Sequence, residues 1–233
     1  GPAECDDCTI LGYLNLRELK IERPVHFNDT VFLDSVNFES TIFNSTAYFS
    51  YSHFKGNADF LGSEFSDTAY FEGSYFFNQA RFLLSYFKGD AYFRYSYFNK
   101  TTSFRGSLFE GDADFRGSKF NKTTSFWGSL FEGDADFRDS IFNGTAYFEV
   151  SAFNKTTNFM NSLFEGDADF MDSKFKGDAY FRYSYFKGNA DFVDSEFNGD
   201  SEFWGSRFNN TTNFMNSLFK GDADFGDSEF NGK

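Results

Sequence analysis

Phenylalanine recurs along this chain on a fixed beat. Phe27, Phe38, Phe49, Phe60 and Phe71 stand eleven residues apart, and the series continues unbroken to Phe225. A second series, opening with Phe32, Phe43, Phe54 and Phe65, keeps the same period to Phe230. The gaps between the two series alternate five, six, five, six. Of the 39 Phe only Phe77 falls outside them. Small residues keep time two positions earlier: Ala58, Ala69, Ala80, Ala91, Thr102 and Ala113 before the first series, Thr30, Thr41, Ser52, Ser63 and Ser74 before the second. The unit reads A-x-F-x-x-S-x-F-x-x-x, with polar and Gly-rich residues between the apolar ones.

A helix cannot use this pattern. Residues five or six apart fall about 140° apart around a helix and leave no apolar stripe, and 20 Gly with many Asn, Ser, Thr and Asp oppose helix formation. A long strand fails too. Ala58 and Phe60 share a face, but the next Phe, five residues on, points the opposite way. The pattern therefore predicts very short strands that turn a corner after every unit, with each Phe and its small partner aimed at a common axis.

The A-x-F-x-x, S-x-F-x-x pattern resembles the pentapeptide-repeat family. GNADF at 56–60 and GDADF at 111–115, 133–137, 166–170 and 221–225 match its motif closely. The resemblance covers roughly residues 9–233. It implies an all-β fold, a right-handed quadrilateral β-solenoid. This chain departs by a sixth residue on alternate faces, which lengthens the coil from about 20 to about 22 residues.

The 22-residue coil puts like residues in register. Tyr48, Tyr70 and Tyr92 are 22 apart, as are Asp112 and Asp134, and Asp178, Asp200 and Asp222. Such ladders place neighbours about 4.8 Å apart in adjacent coils. Phe60, Phe65, Phe115, Phe120, Phe137 and Phe142 are then members of a core ladder. Residues 27–233 make a rod roughly 45 Å long. Counting back from Phe27 reaches Ile21, Leu16 and Ile10, so residues 10–26 are expected to form a degenerate capping coil. Residues 1–9 are expected to be a tail, with Gly1-Pro2 a cloning remnant. The chain stops at Asn231-Gly232-Lys233, where a further unit would begin, and an open Phe-filled coil there is a candidate for end-to-end self-association.

Composition narrows the chemistry. The net charge is −14, with 35 acidic against 21 basic side chains. Nucleic acid is a poor partner for such a chain. No long apolar run crosses a membrane. Two His and two Cys leave little for zinc or nucleophilic catalysis. No Ser/His/Asp set or phosphate loop appears, and no enzyme activity is expected. Cys5 and Cys8 form C-D-D-C; the reading adopted is a small core residue and a tail cysteine. His26 and His53 precede a Phe and point outward.

Two constellations remain. Glu110, Asp112, Asp114, Glu132, Asp134 and Asp136 stack as carboxylates that repel by about 1 kcal/mol per pair in water. Ca²⁺ would offset that with hard oxygen ligands; a solvated, screened acidic face is the alternative. Eight N-x-S/T sequons occur, of which Asn28, Asn44, Asn154, Asn209 and Asn210 are candidates for glycosylation. Asn99, Asn121 and Asn143 would stack too closely for three glycans and read instead as a hydrogen-bonded ladder.

The expected function is a non-catalytic structural or interaction rod, a cell-surface or secreted scaffold binding an unidentified protein. The F-x-x-S-x-F-x-G-x-A-x pattern resembles extracellular pentapeptide-repeat proteins of archaea. Alternatives are a cytoplasmic DNA mimic, because some members of the family bind DNA gyrase or topoisomerase with an acidic rod, and a Ca²⁺-binding acidic solenoid. Ice binding is disfavoured, because Thr102, Thr124, Thr157 and Thr212 sit at inward positions.

Overall fold

A computed structural model describes residues 3–232, and the expectation for Gly1-Pro2 lies outside them. Forty-two strands, each two residues long, account for the regular structure of the described residues. The first coil shows the plan. Strands β1 (Ala3–Glu4), β2 (Thr9–Ile10), β3 (Leu14–Asn15) and β4 (Lys20–Ile21) lie on four successive sides. Then β5 (Val25–His26) returns to pair in parallel beside β1, and β6 (Val31–Phe32) beside β2. Repetition yields four parallel sheets of 11, 11, 10 and 10 strands, here called the first to fourth faces in chain order. Every strand pairs with its counterpart in the next coil, in the expected register. Tyr70 thus stands between Tyr48 and Tyr92, and Asp114 opposite Asp136.

The extra residue finds its place at the corners, which alternate between two kinds. After each first-series Phe the chain makes a tight turn, closed by bonds such as Ser63 N–H to Phe60 O at 3.0 Å. The third residue of that turn has positive φ, the position that type II turns give to Gly or Asn. Gly62, Gly117 and Asn161 occupy it, but so do Tyr51, Leu84, Tyr95, Val150 and Tyr183. After each second-series Phe comes a three-residue corner such as Glu110-Gly111-Asp112. There the coils approach so closely that a Cβ on Gly111 would stand 2.5 Å from the carbonyl carbon of Gly89.

The interior is phenylalanine. Phe60, Phe65, Phe115, Phe120, Phe137 and Phe142 are fully buried. Each lies nearly parallel to the ring one coil on, as Phe60 does over Phe82 (4.7 Å), Phe65 over Phe87 (4.8 Å), Phe115 over Phe137 (4.9 Å) and Phe120 over Phe142 (4.9 Å). Rings of the two first-series columns meet edge to face, as Phe104 and Phe115 do at 5.2 Å and 83°. Both arrangements suit the ring quadrupole. The small residues before the second-series Phe fill the remaining interior and need a partner for each hydroxyl. Ser63 donates to the Phe38 carbonyl at 2.8 Å, and Ser140 to that of Phe115 at 2.7 Å.

At the start of the chain Ile10, Leu14, Leu16 and Ile21 pack on this core in the same frame. Residues 3–9, assigned to a tail from the sequence, include β1 and the start of β2, both paired in the ladder. At the other end of the described residues Phe225 is half-buried and Phe230 is 50 % exposed.

Candidate functional surfaces

With the interior filled, chemistry is left to the outward columns. The carboxylates expected to hold Ca²⁺ lie around one corner and have other work. Asp112 Oδ1 accepts the N–H of Asp134 at 2.9 Å, as Asp90 does that of Asp112, and Asp134 accepts the N–H of Thr156 at 3.1 Å. Each Asp thus caps the backbone one coil on, and the N–H dipole offsets the stacking of like charges. Asp114 accepts two bonds from Arg116, at 3.0 and 2.6 Å, and Asp136 is held in the same way by Arg138. Arg116 also reaches Asp136 at 3.5 Å, giving an alternating ladder of charge. Glu110 accepts from the Tyr86 hydroxyl, whose pKa that bond pushes up to about 12. Glu132 accepts from Asn154 Nδ2 at 2.5 Å. Among the described residues no group of three or more His, Cys, Asp or Glu is arranged to hold a metal ion.

The Asn trio forms its ladder. Asn143 donates to Asn121 Oδ1 at 2.7 Å, Asn121 to Asn99 Oδ1 at 3.2 Å, and Asn99 to the Phe77 carbonyl at 3.1 Å. Of the other sequon residues, Asn44, Asn209 and Asn210 are exposed while Asn28 and Asn154 are half-buried. Asn44 Nδ2 donates to Glu22 and Asn209 Nδ2 to the Tyr185 hydroxyl, at 2.7 and 2.6 Å. The Cys5 and Cys8 reading is corrected: the two form a disulfide. The intervening Asp6-Asp7 turn, with Asp7 at positive φ, brings their Cα atoms to 5.5 Å, within the span a disulfide bridges.

Two opposite faces carry apolar columns. On the second, Tyr75 stacks on Tyr97 at 4.4 Å, Lys119 interrupts the column, and Ile141, Leu163 and Tyr185 follow in register. On the fourth, Tyr86, Leu108, Leu130 and Ala152 form a run. All are half-buried by their neighbours yet present one side to solvent.

The third face holds a site that no sequence motif announces. Its outward column runs Ser103, Ser125, Tyr147, Asp169, Asp191. Beside it, in the adjoining turn, Arg105, Trp127 and Glu149 occupy equivalent places in successive coils. The Arg105 guanidinium lies 4.3 Å from the Trp127 ring centre. Arg105, Trp127, Ser125, Tyr147 and Glu149 enclose an open depression of about 380 Å³. A second, of about 270 Å³, shares Tyr147 and continues over Asp169 and Asp191. Burial raises the pKa of both Glu149 and Asp169, helped at Glu149 by the charge of Asp169 and at Asp169 by that of Asp191. The only advance signal was the coil register itself, which aligns one Arg, one Trp and one Glu along an edge.

Residues 27–75, 49–96, 82–130, 126–173 and 161–207 match the family profile described as Pentapeptide repeats (9 copies), a stretch from 27 to 207. A structure of trypsin-treated QnrB1, a plasmid-mediated fluoroquinolone resistance protein, is similar at 16% identity with a TM-score of 0.30, over 93% of this chain and 91% of that one. No curated protein matches the chain.

Proposed function

The chain belongs to the pentapeptide-repeat family, and from that premise we propose that it is a non-catalytic rod that binds a protein partner along its sides, at a cell surface or after secretion. The observation that carries this reading is the pair of apolar columns on opposite faces. Phe already fills the interior, so Tyr97, Ile141 and Leu163 on one side and Leu108 and Leu130 on the other add little to the core. Apolar surface that runs unbroken from Ile141 to Tyr185 on the second face and from Tyr86 to Ala152 on the fourth is a cost for a rod in water unless a partner covers it. Parallel sheets with Phe columns hold those side chains at fixed spacing, which lowers the ordering cost of binding.

Two features support the location. The Cys5–Cys8 disulfide suits an oxidising compartment, and Asn44, Asn209 and Asn210 are exposed sequon residues. No helix among the described residues is long and apolar enough to cross a membrane. DNA mimicry is the weaker reading, because the outward acids of the first face alternate with Arg116 and Arg138 and do not form an unbroken anionic column.

Photocrosslinking in the native cell tests the proposal. A photoreactive amino acid at Leu130 or Ile141 is expected to yield a discrete protein adduct in the envelope or secreted fraction, while one at Asp200 does not. Absence of an adduct from either apolar face, or equal labelling from Asp200, would refute it.

A further inference from the structure

The groove on the third face has a composition unlike the rest of the surface. Arg81, Arg94, Arg116, Arg138 and Arg182 each bridge a carboxylate. Among the described residues Arg105 bridges none; its guanidinium rests on Trp127 with its donors left for another group. Trp127 is 38% exposed. Ser103 and Ser125 make a low floor next to it, and Tyr147 stands one coil beyond Ser125 as a second aromatic wall. Past Tyr147 the groove continues along the axis to Asp169 and Asp191, which have no basic partner among the described residues.

We propose that this groove binds a saccharide chain laid along the rod axis, with one sugar ring against Trp127 and Tyr147. A sugar ring offers apolar C–H faces to the aromatic rings and hydroxyls at its edge. Those hydroxyls accept from Arg105 and donate to Glu149 and Asp169, so neither kind of group is covered without a partner. A purely apolar ligand would leave both unsatisfied, and a polyanion would meet Glu149, Asp169 and Asp191. The two depressions, joined at Tyr147, run parallel to the coil axis and so suit a linear chain in preference to a single compact molecule. The site is independent of the apolar second and fourth faces.

The protein supplies its own reporter. In a Trp204→Phe background Trp127 is the sole tryptophan. Cellohexaose and the free-amine glucosamine hexamer are titrated while its emission is followed. A saturable shift with at least one is expected, weakened about tenfold by Tyr147→Ala, which removes one aromatic contact. Tyr147→Phe, which keeps the ring, is expected to retain binding, and melting curves confirm that each variant is folded. The proposal is overturned if neither sugar gives a saturable shift, or if folded Tyr147→Ala and Arg105→Ala variants both bind unchanged. A shift with a lysine hexapeptide but with no sugar also overturns it and assigns the groove to a basic protein segment.

Discussion

The ring of Tyr95 lies against Gly117, the residue one coil further on, so closely that a Cβ on Gly117 would stand 2.6 Å from its Cδ1. Both residues occupy the positive-φ position of their turns, at 59° and 64°. The same pairing recurs in Tyr51 with Gly73, Leu84 with Gly106 and Tyr183 with Gly205. A bulky side chain in that turn therefore lies along the rod over a glycine. Gly117→Ala is expected to destabilise by about 1–2 kcal/mol from the left-handed backbone alone, with the Tyr95 contact adding to it. Gly128 has the same φ sign and no neighbour within 4 Å, so Gly128→Ala should cost less. Denaturant melts of the two variants, and of Tyr95→Ala with Gly117→Ala, separate the contact from the backbone term.

Val150 is a β-branched residue held at φ 59°, where L side chains are strained. Val150→Gly is expected to raise stability by about 1 kcal/mol, after allowance for the entropy glycine gains in the unfolded chain. A lower melting temperature for this variant would show that the Val150 side chain makes a compensating contact.

Gly111 poses the opposite problem. Its obstacle is the backbone of Gly89, which cannot swing aside as a side chain can. Gly111→Ala should therefore exceed Gly117→Ala in cost, at about 2 kcal/mol or more, and should separate the coils locally, visible as faster amide exchange at Ala91 and Ala113.

Phe126 lies between Phe104 and Phe148 at 4.9 Å each and meets Phe115 and Phe137 edge on. Truncation to Ala should cost about 3–5 kcal/mol. Phe77, the one Phe outside the repeat, touches Lys55 and Tyr75 on the surface, and its truncation should cost about 1 kcal/mol or less. Equal losses at the two sites would contradict the assignment of core and surface.

Glu149 and Asp169 hold protons to higher pH in the folded state than in the unfolded chain. Their contribution is fully present below the ordinary carboxylate range and is lost as pH rises through the raised values. Asp169→Asn removes one of the two charges while keeping an acceptor for the Met171 N–H. Its melting temperature should match the parent near about pH 4 and exceed it increasingly toward about pH 7. A constant difference across that range would exclude the carboxylate pair as the cause.

These positions show what was legible in the chain. Phe60 and Phe65 were placed in the core by their period alone, because one repeating unit can bury its apolar residues in few ways. The register of Tyr48, Tyr70 and Tyr92 followed from the same period. The role of Asp112 did not. Its charge suggested either a metal ligand or a solvated acidic face, and neither reading includes the backbone N–H of Asp134 that its Oδ1 accepts, a partner invisible in a list of side chains. Cys5 was separated from Cys8 because Cys8 falls on the inward frame of the repeat while Cys5 was assigned to the tail, whereas the two form a disulfide. The third-face groove was missed because Arg105, Trp127 and Tyr147 belong to different coils and share no motif.

Every surface assignment rests on the length of the coil, and paired cysteines test that length directly. Tyr70→Cys with Tyr92→Cys places the two thiols on adjacent strands in register, and air oxidation is expected to link them within one molecule, as shown by reducing and non-reducing mass analysis. Tyr70→Cys with Asp90→Cys, the pair that an uninterrupted pentapeptide coil would bring into register, should remain reduced under the same conditions. Efficient closure of the second pair and failure of the first would contradict the account.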